Sequence, residues 1–188
     1  YCGATSYKEN DEANDSIRQI DVVADMLGNQ LDMRVGRFTS MESSDERQQI
    51  RKTFAEGRQL QALVAIKCLD EGVNIPSIKT AFILASSTNP KEYIQRRGRV
   101  LRKFPGKEYA EIYDFITLPF TMESFLSQRS DVVASTKGLI VRELRRMMDF
   151  ASIADNPSET SELIYKLKHA FNITEQDLQN MEVEEDAI

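Results

Sequence analysis

Short apolar runs, separated by stretches with helical spacing, are the strongest constraint on what this chain can fold into. Leu60 to Ile66 and Thr80 to Ala85 are near-continuous apolar runs, the pattern of strands covered on both faces. Met33 to Phe38 and Tyr109 to Ile116 are further strand candidates, and Tyr1 to Gly3 reads as the end of another. Ile17, Ile20, Val23, Ala24 and Leu27 share one helix face, with Gly28 as the expected stop. Ser43-Ser44-Asp45-Glu46 has the chemistry of a capping box, in which a hydroxyl and a carboxylate each satisfy a backbone N–H. Ile50 and Phe54 continue that helix, and Gly57 stands where a left-handed C-cap belongs. Asn89-Pro90-Lys91-Glu92 opens another helix, with Asn as cap and Pro at the first position. Buried strands alternating with helices predict an α/β fold with a parallel sheet sandwiched by helices and right-handed crossovers. Ligands of such sheets sit on the loops after the strands, where Lys67 to Pro76 and Ser86 to Asn89 fall.

After Leu118-Pro119 the pattern changes to helices alone, over Phe120 to Phe150 and Ser161 to Phe171, broken at Asp155-Asn156-Pro157-Ser158. The expected organisation is therefore an α/β domain over residues 1–119 and a C-terminal helical extension with an acidic tail over 120–188. Leu139, Ile140, Leu144, Met147, Met148 and Ala151 line one side of the longer helix and read as packing surface. Arg142, Arg145 and Arg146 read as a solvated face, with nucleic-acid contact as the alternative.

The 188 residues suit one domain with an appendage, and 41% hydrophobic content is enough for a core. The apolar runs fall far short of a membrane span of ~20 residues, and no signal peptide opens the chain. A start at Tyr1, inside a strand-like segment, suggests a piece of a longer protein. Cys2 and Cys68 are too few for a disulfide framework and suit a reduced cytoplasm. His169 reads as a surface residue, and no CxxC or HExxH pattern offers a metal site.

The formal charge of −6, from 24 basic and 30 acidic residues, hides a segregated basic run. Lys91, Arg96, Arg97, Arg99, Arg102, Lys103 and Lys107 stand against Glu92 alone within it. Gln95, Gly98, Arg99 and Arg102 have the spacing of one helix face. A glycine in a helix interior costs ~1 kcal/mol against alanine, and neighbouring like charges add repulsion. A polyanion on that face would offset both, since guanidinium groups match phosphate oxygens bidentately. A solvated basic face is the open alternative. The other notable stretch is Lys67-Cys68-Leu69-Asp70-Glu71-Gly72-Val73-Asn74-Ile75-Pro76, directly after a buried strand. Gly72 allows a close backbone approach to a ligand and Asn74 offers an amide. Taken alone, this stretch also fits an ordinary turn between strands.

Together the two segments resemble superfamily 2 helicases. Gln95-Arg96-Arg97-Gly98-Arg99-Val100-Leu101-Arg102 resembles their motif VI, [HQ]-R-x-G-R-x-x-R, and Cys68 to Pro76 resembles motif V. Tyr1-Cys2 is similar to the end of the motif IV strand, and Thr39 to Gly57 to the segment that follows it. The order matches the second, C-terminal RecA-like domain of DEAD/DEAH-box-type motors, up to about Pro119. Glu71, Asn74 and Gln95 depart from the DEAD-box RNA helicase wording, and Leu69-Asp70-Glu71-Gly72 is closer to DNA repair and restriction-enzyme translocases.

The resemblance implies half of an ATP-dependent DNA helicase or translocase, with DNA preferred to RNA as the track. ATP with Mg²⁺ would be held mainly by an N-terminal RecA-like domain of the same chain. This sequence has neither GxxxxGK[ST] nor an Asp-Glu box, so the fragment alone is expected to be inactive. By similarity, Arg99 and Arg102 would be the catalytic arginine fingers. Gly72 and Asn74 would lie near the nucleotide, while Gln95 and Arg96 would position the motif VI helix and couple it to the opposing domain. Ser40, Arg47 and Lys67 would contact the nucleic-acid backbone. The alternative is a non-catalytic RecA-like scaffold or nucleic-acid-binding module. A flavodoxin-like small-molecule enzyme is set aside for want of an acid–base pair.

Overall fold

The computed structural model describes residues 1–3, 6–8, 16–39, 41–66, 75–85, 89–124, 127–128 and 130–179. The chain divides into two compact units, Tyr1–Phe115 and Ile116–Ile188.

In the first unit, strands β1 (Ser6–Lys8) and β2 (Ser16–Arg18) pair antiparallel. This hairpin has no counterpart in the sequence reading. Next come helix α1 (Gln19–Asp25), strand β3 (Val35–Phe38), helix α2 (Ser44–Glu56) and strand β4 (Ala62–Ala65). Strand β5 (Thr80–Ile83), helix α3 (Pro90–Val100) and strand β6 (Glu111–Asp114) complete the unit. β3 pairs parallel with β4, and β5 parallel with β6.

Tyr1 and Cys2 join the two pairs. The Cys2 N–H donates to the Ala65 carbonyl at 2.7 Å, and Cys2 bridges Ile66 in parallel. On the other side, the Tyr1 nitrogen donates to the Phe82 carbonyl at 2.8 Å and the Leu84 N–H donates to the Tyr1 carbonyl at 3.0 Å. The resulting order is β3, β4, Tyr1–Cys2, β5, β6, paired in parallel throughout. Its two faces are covered by different helices. Phe38, Ala65 and Ile75 pack with Ile50 and Phe54 of α2, whereas Cys2 and Val64 pack with Ile20 and Ala24 of α1.

Local chemistry explains the helix ends. The Ser43 hydroxyl accepts from the Glu46 N–H at 3.3 Å and the Glu46 carboxylate accepts from the Ser43 N–H at 2.8 Å. Gly57 closes α2 at φ 67. The Asn89 side chain accepts from the Lys91 N–H at 3.0 Å, with Pro90 at the first position of α3.

Three expectations change. Gly28 does not stop α1: the backbone widens into a π-helical turn over Met26–Gln30, with the Leu31 N–H donating to the Met26 carbonyl at 3.1 Å. The chain leaves that turn at Asp32, where φ is 50. β5 is not covered on both faces. Ala81 and Ile83 are buried, but Phe82 is 52% exposed and stacks on Tyr113 of β6 at 4.7 Å between ring centroids. The long helix starts at Ser130 rather than Phe120. Upstream of it the Thr121 and Ser124 hydroxyls bond to nearby backbone and to each other, which competes with helix formation.

The second unit is built on helices α4 (Ser130–Ala151) and α5 (Pro157–Ala170). Its core joins Ile140, Val141, Leu144 and Met147 of α4 to Leu167 of α5 and to Phe171, Ile173 and Leu178 beyond it. Ile116, Leu118 and Phe120 pack against this core. Among the described residues, no helix is long and apolar enough to cross a membrane.

Candidate functional site

The basic run falls on α3 and the turn after it. α3 is seated by Tyr93, Arg96 and Val100, all buried and all on the helix face toward the sheet. Arg96 is only 2% exposed, and its guanidinium carbon lies 4.9 Å from the centre of the Tyr1 ring. A buried cation needs such a partner, because desolvation otherwise disfavours its charge. Arg96 therefore ties α3 to the strand-end segment Tyr1–Cys2.

Gln95, Gly98 and Arg99 lie on other faces of α3: Gln95 and Gly98 are exposed and Arg99 is half-buried. A Cβ added at Gly98 would meet nothing within 4 Å. Among the described residues, no steric demand explains that glycine. Arg102 is exposed but does not share the helix face as expected, since α3 ends at Val100 with Leu101 as C-cap. It follows the helix rather than belonging to it.

Past Arg102 the chain turns back through Phe104-Pro105-Gly106-Lys107. The Lys107 N–H donates to the Phe104 carbonyl at 3.0 Å, and Gly106 has φ 75. Proline followed by a left-handed glycine is the chemistry of a type II turn. The turn directs the Lys107 ammonium onto backbone carbonyls. The basic run is therefore not one uniform face, since Arg96 is buried and the half-buried Lys107 is turned onto backbone carbonyls.

Arg47 lies in the first half of α2, next to the loop that follows β3. Its Nε donates to the Glu42 carbonyl at 2.9 Å. The Glu42 carboxylate in turn accepts from the Thr39 N–H at 2.6 Å and the Thr39 hydroxyl at 2.8 Å. Burial opposes the charge on Glu42, yet the Thr39 hydrogen bonds and nearby Arg47 hold its carboxyl below the usual carboxylate range. Ser40, Lys67, Gly72 and Asn74 lie outside the described residues. Among the described residues, no group of three or more His, Cys, Asp or Glu could hold a metal ion.

Residues 13–104 match the family described as the helicase conserved C-terminal domain. That stretch, about half of the chain, is similar to a helicase C-terminal domain. A curated relative is the DNA 3'-5' translocase XPB2 of Sulfurisphaera tokodaii, 34% identical over 65 residues. That stretch spans 35% of this chain and 15% of the relative, so most of the relative has no counterpart here. Among solved structures, the C-terminal part of the Fun30 ATPase domain gives a TM-score of 0.47 at 22% identity, covering 58% of this chain and 35% of that one. The Pyrococcus furiosus Hef helicase domain gives 0.40 at 24% identity, covering 58% and 22%.

Arg146 of the helical unit departs from both sequence readings. It is 2% exposed and forms a two-pronged pair with Glu143 at 3.0 and 2.8 Å. It therefore belongs neither to a solvated face nor to a nucleic-acid surface. Arg142 and Arg145 are half-buried. The local sequence marks neither Arg146 nor Lys107 as special, apart from the Pro-Gly turn just before Lys107.

Proposed function

We propose that this chain is the C-terminal motor half of an ATP-dependent DNA helicase or translocase. Arg99 and Arg102 act as arginine fingers on ATP bound with Mg²⁺ to an N-terminal RecA-like domain of the same protein. The observation that carries this reading is the open surface at Gly98, on α3 with exposed Gln95 and half-buried Arg99. A glycine kept in a helix at ~1 kcal/mol, next to Arg99 in sequence, suits close approach by a phosphate-bearing partner. The donor set fits a triphosphate: guanidinium N–H groups match its oxygens, and the charge that builds on the γ-phosphate during transfer is what they would stabilise.

In this reading Arg96 fixes the motif VI helix through the Tyr1 ring, and Gln95 faces the opposing domain. Gly72 and Asn74 approach the nucleotide from the motif V side. Ser40, Arg47 and Lys67 follow the DNA backbone through phosphate contacts, which position the track without reading its sequence. Helices α4 and α5 form an accessory extension. The motif V wording and the likeness to a DNA translocase favour DNA over RNA.

The test is ATP hydrolysis by the full-length protein with single-stranded DNA, duplex DNA or RNA. Stimulation by DNA is expected, and the more effective form identifies the track. Stimulation by RNA alone would move the assignment to RNA. No stimulation by any of the three would favour a scaffold role.

A further inference from the structure

Lys107 closes the basic run, but its charge is spent within the fold. Its Nζ donates to the carbonyl oxygens of Val100, Arg102 (3.0 Å) and Pro76 (3.3 Å). An ammonium group has three N–H donors, so these contacts account for all of them. Each acceptor has a distinct place. Val100 is the last residue of α3, where the helix dipole presents its negative end. Arg102 is the finger beyond that helix. Pro76 ends the segment that resembles motif V and lies 31 residues from Lys107. The Pro105–Gly106 turn sets Lys107 facing back toward these carbonyls. Burial also pushes its pKa down from the usual lysine range, as expected for an ammonium drawn partly out of water.

We infer that Lys107 is a positioning residue for the finger: it fixes the main chain of Arg102 against the ends of the motif V and motif VI segments. The inference rests on the reading of Arg102 as a finger. The guanidinium sits on a long flexible stem, so its reach depends on where its backbone is held. A displacement of about 1 Å in a positioned group can cost ~10²-fold in rate.

The experiment compares Lys107→Met, Arg102→Ala and the double variant in the full-length protein, by DNA-stimulated ATP hydrolysis and DNA binding. Methionine keeps the apolar stem and removes the ammonium. Lys107→Met is expected to lower kcat by about 10–100-fold, with KM for ATP and DNA affinity unchanged. The double variant should be no slower than Arg102→Ala alone, because both changes remove the same stabilisation. Multiplying losses, or an unchanged kcat in Lys107→Met, would overturn the inference. So would a salt dependence of DNA binding reduced by about one unit of slope, which would make Lys107 a phosphate contact. If Arg102→Ala itself hydrolyses ATP normally, the finger reading fails and the inference with it. If Arg102→Ala is slow and Lys107→Met normal, only the positioning role fails. Should Lys107→Met not fold, Lys107→Arg decides. A planar guanidinium keeps the charge but cannot converge on three carbonyls as an ammonium does. A lower kcat at constant KM is then expected, and a wild-type kcat would overturn the role.

Discussion

At the scale of single residues, Gly98 separates stability from activity. Alanine there meets open space and improves helix propensity, so Gly98→Ala should stabilise the chain by about 0.5–1 kcal/mol in urea denaturation. ATP hydrolysis by the full-length protein should fall in the same variant if a partner surface presses on that face. A more stable protein with full activity would show that nothing approaches Gly98. Arg146 makes the opposite case. Its partner Glu143 also accepts the Thr117 N–H at 3.1 Å, so one carboxylate anchors both α4 and the segment leading into it. Removing one member of a buried pair leaves an uncompensated charge, and Arg146→Met should cost about 3–5 kcal/mol. Replacing both residues with apolar ones should recover most of that, short of about 1–3 kcal/mol for the stranded Thr117 N–H. Equal losses in the single and double variants, measured by urea denaturation, would contradict this.

At the scale of elements, the helical unit closes with a pH-sensitive cap. The Thr174 N–H and hydroxyl donate to the Asp177 carboxylate at 2.7 and 2.6 Å, and the Asp177 N–H donates back to the Thr174 hydroxyl at 3.3 Å. Lys137 of α4 pairs with the same carboxylate at 2.8 Å. Lys137, then Thr174, hold the Asp177 pKa down at about 2 from an ordinary 3.8. A depressed folded-state pKa gives stability that is complete above pH 3.8 and lost as pH falls toward 2. The amount is about 1 kcal/mol after solvent screening, and Asp177→Asn should remove that part of the acid dependence in pH-resolved thermal unfolding. Caps of this kind are legible in sequence because their partners are two or three residues apart, as at Asn89–Lys91 and Ser43–Glu46. Strand positions were legible from the apolar runs for the same local reason. The exposure of Phe82 was not, because a run of apolar letters does not say which face is covered. Nor were the roles of Arg146 and Lys107, since a charge in a basic run shows its use only once the fold has brought carboxylates or carbonyls to it. The start of α4 was misplaced because Thr121 and Ser124 spend their hydroxyls on local turns, which hydrophobic spacing does not register.

At the scale of the whole molecule, the proposed motor reading gives this chain Arg99 and Arg102 as fingers, while its sequence contains no GxxxxGK[ST] phosphate cradle. The isolated chain should therefore hydrolyse ATP at background rates, and rapid turnover by it would place a nucleotide-binding loop within these residues. The sheet order β3, β4, Tyr1–Cys2, β5, β6 sets Tyr1 at its centre, where its ring meets Arg96. Strand pairing and the seating of α3 thus share one residue. The most direct measurement is single-turnover ATP hydrolysis by the DNA-bound full-length protein, wild type against Arg102→Ala. The expected result is a loss of about 10³–10⁵ in rate with ATP still bound. A rate within a few-fold of wild type would contradict the motor assignment and leave this domain a scaffold.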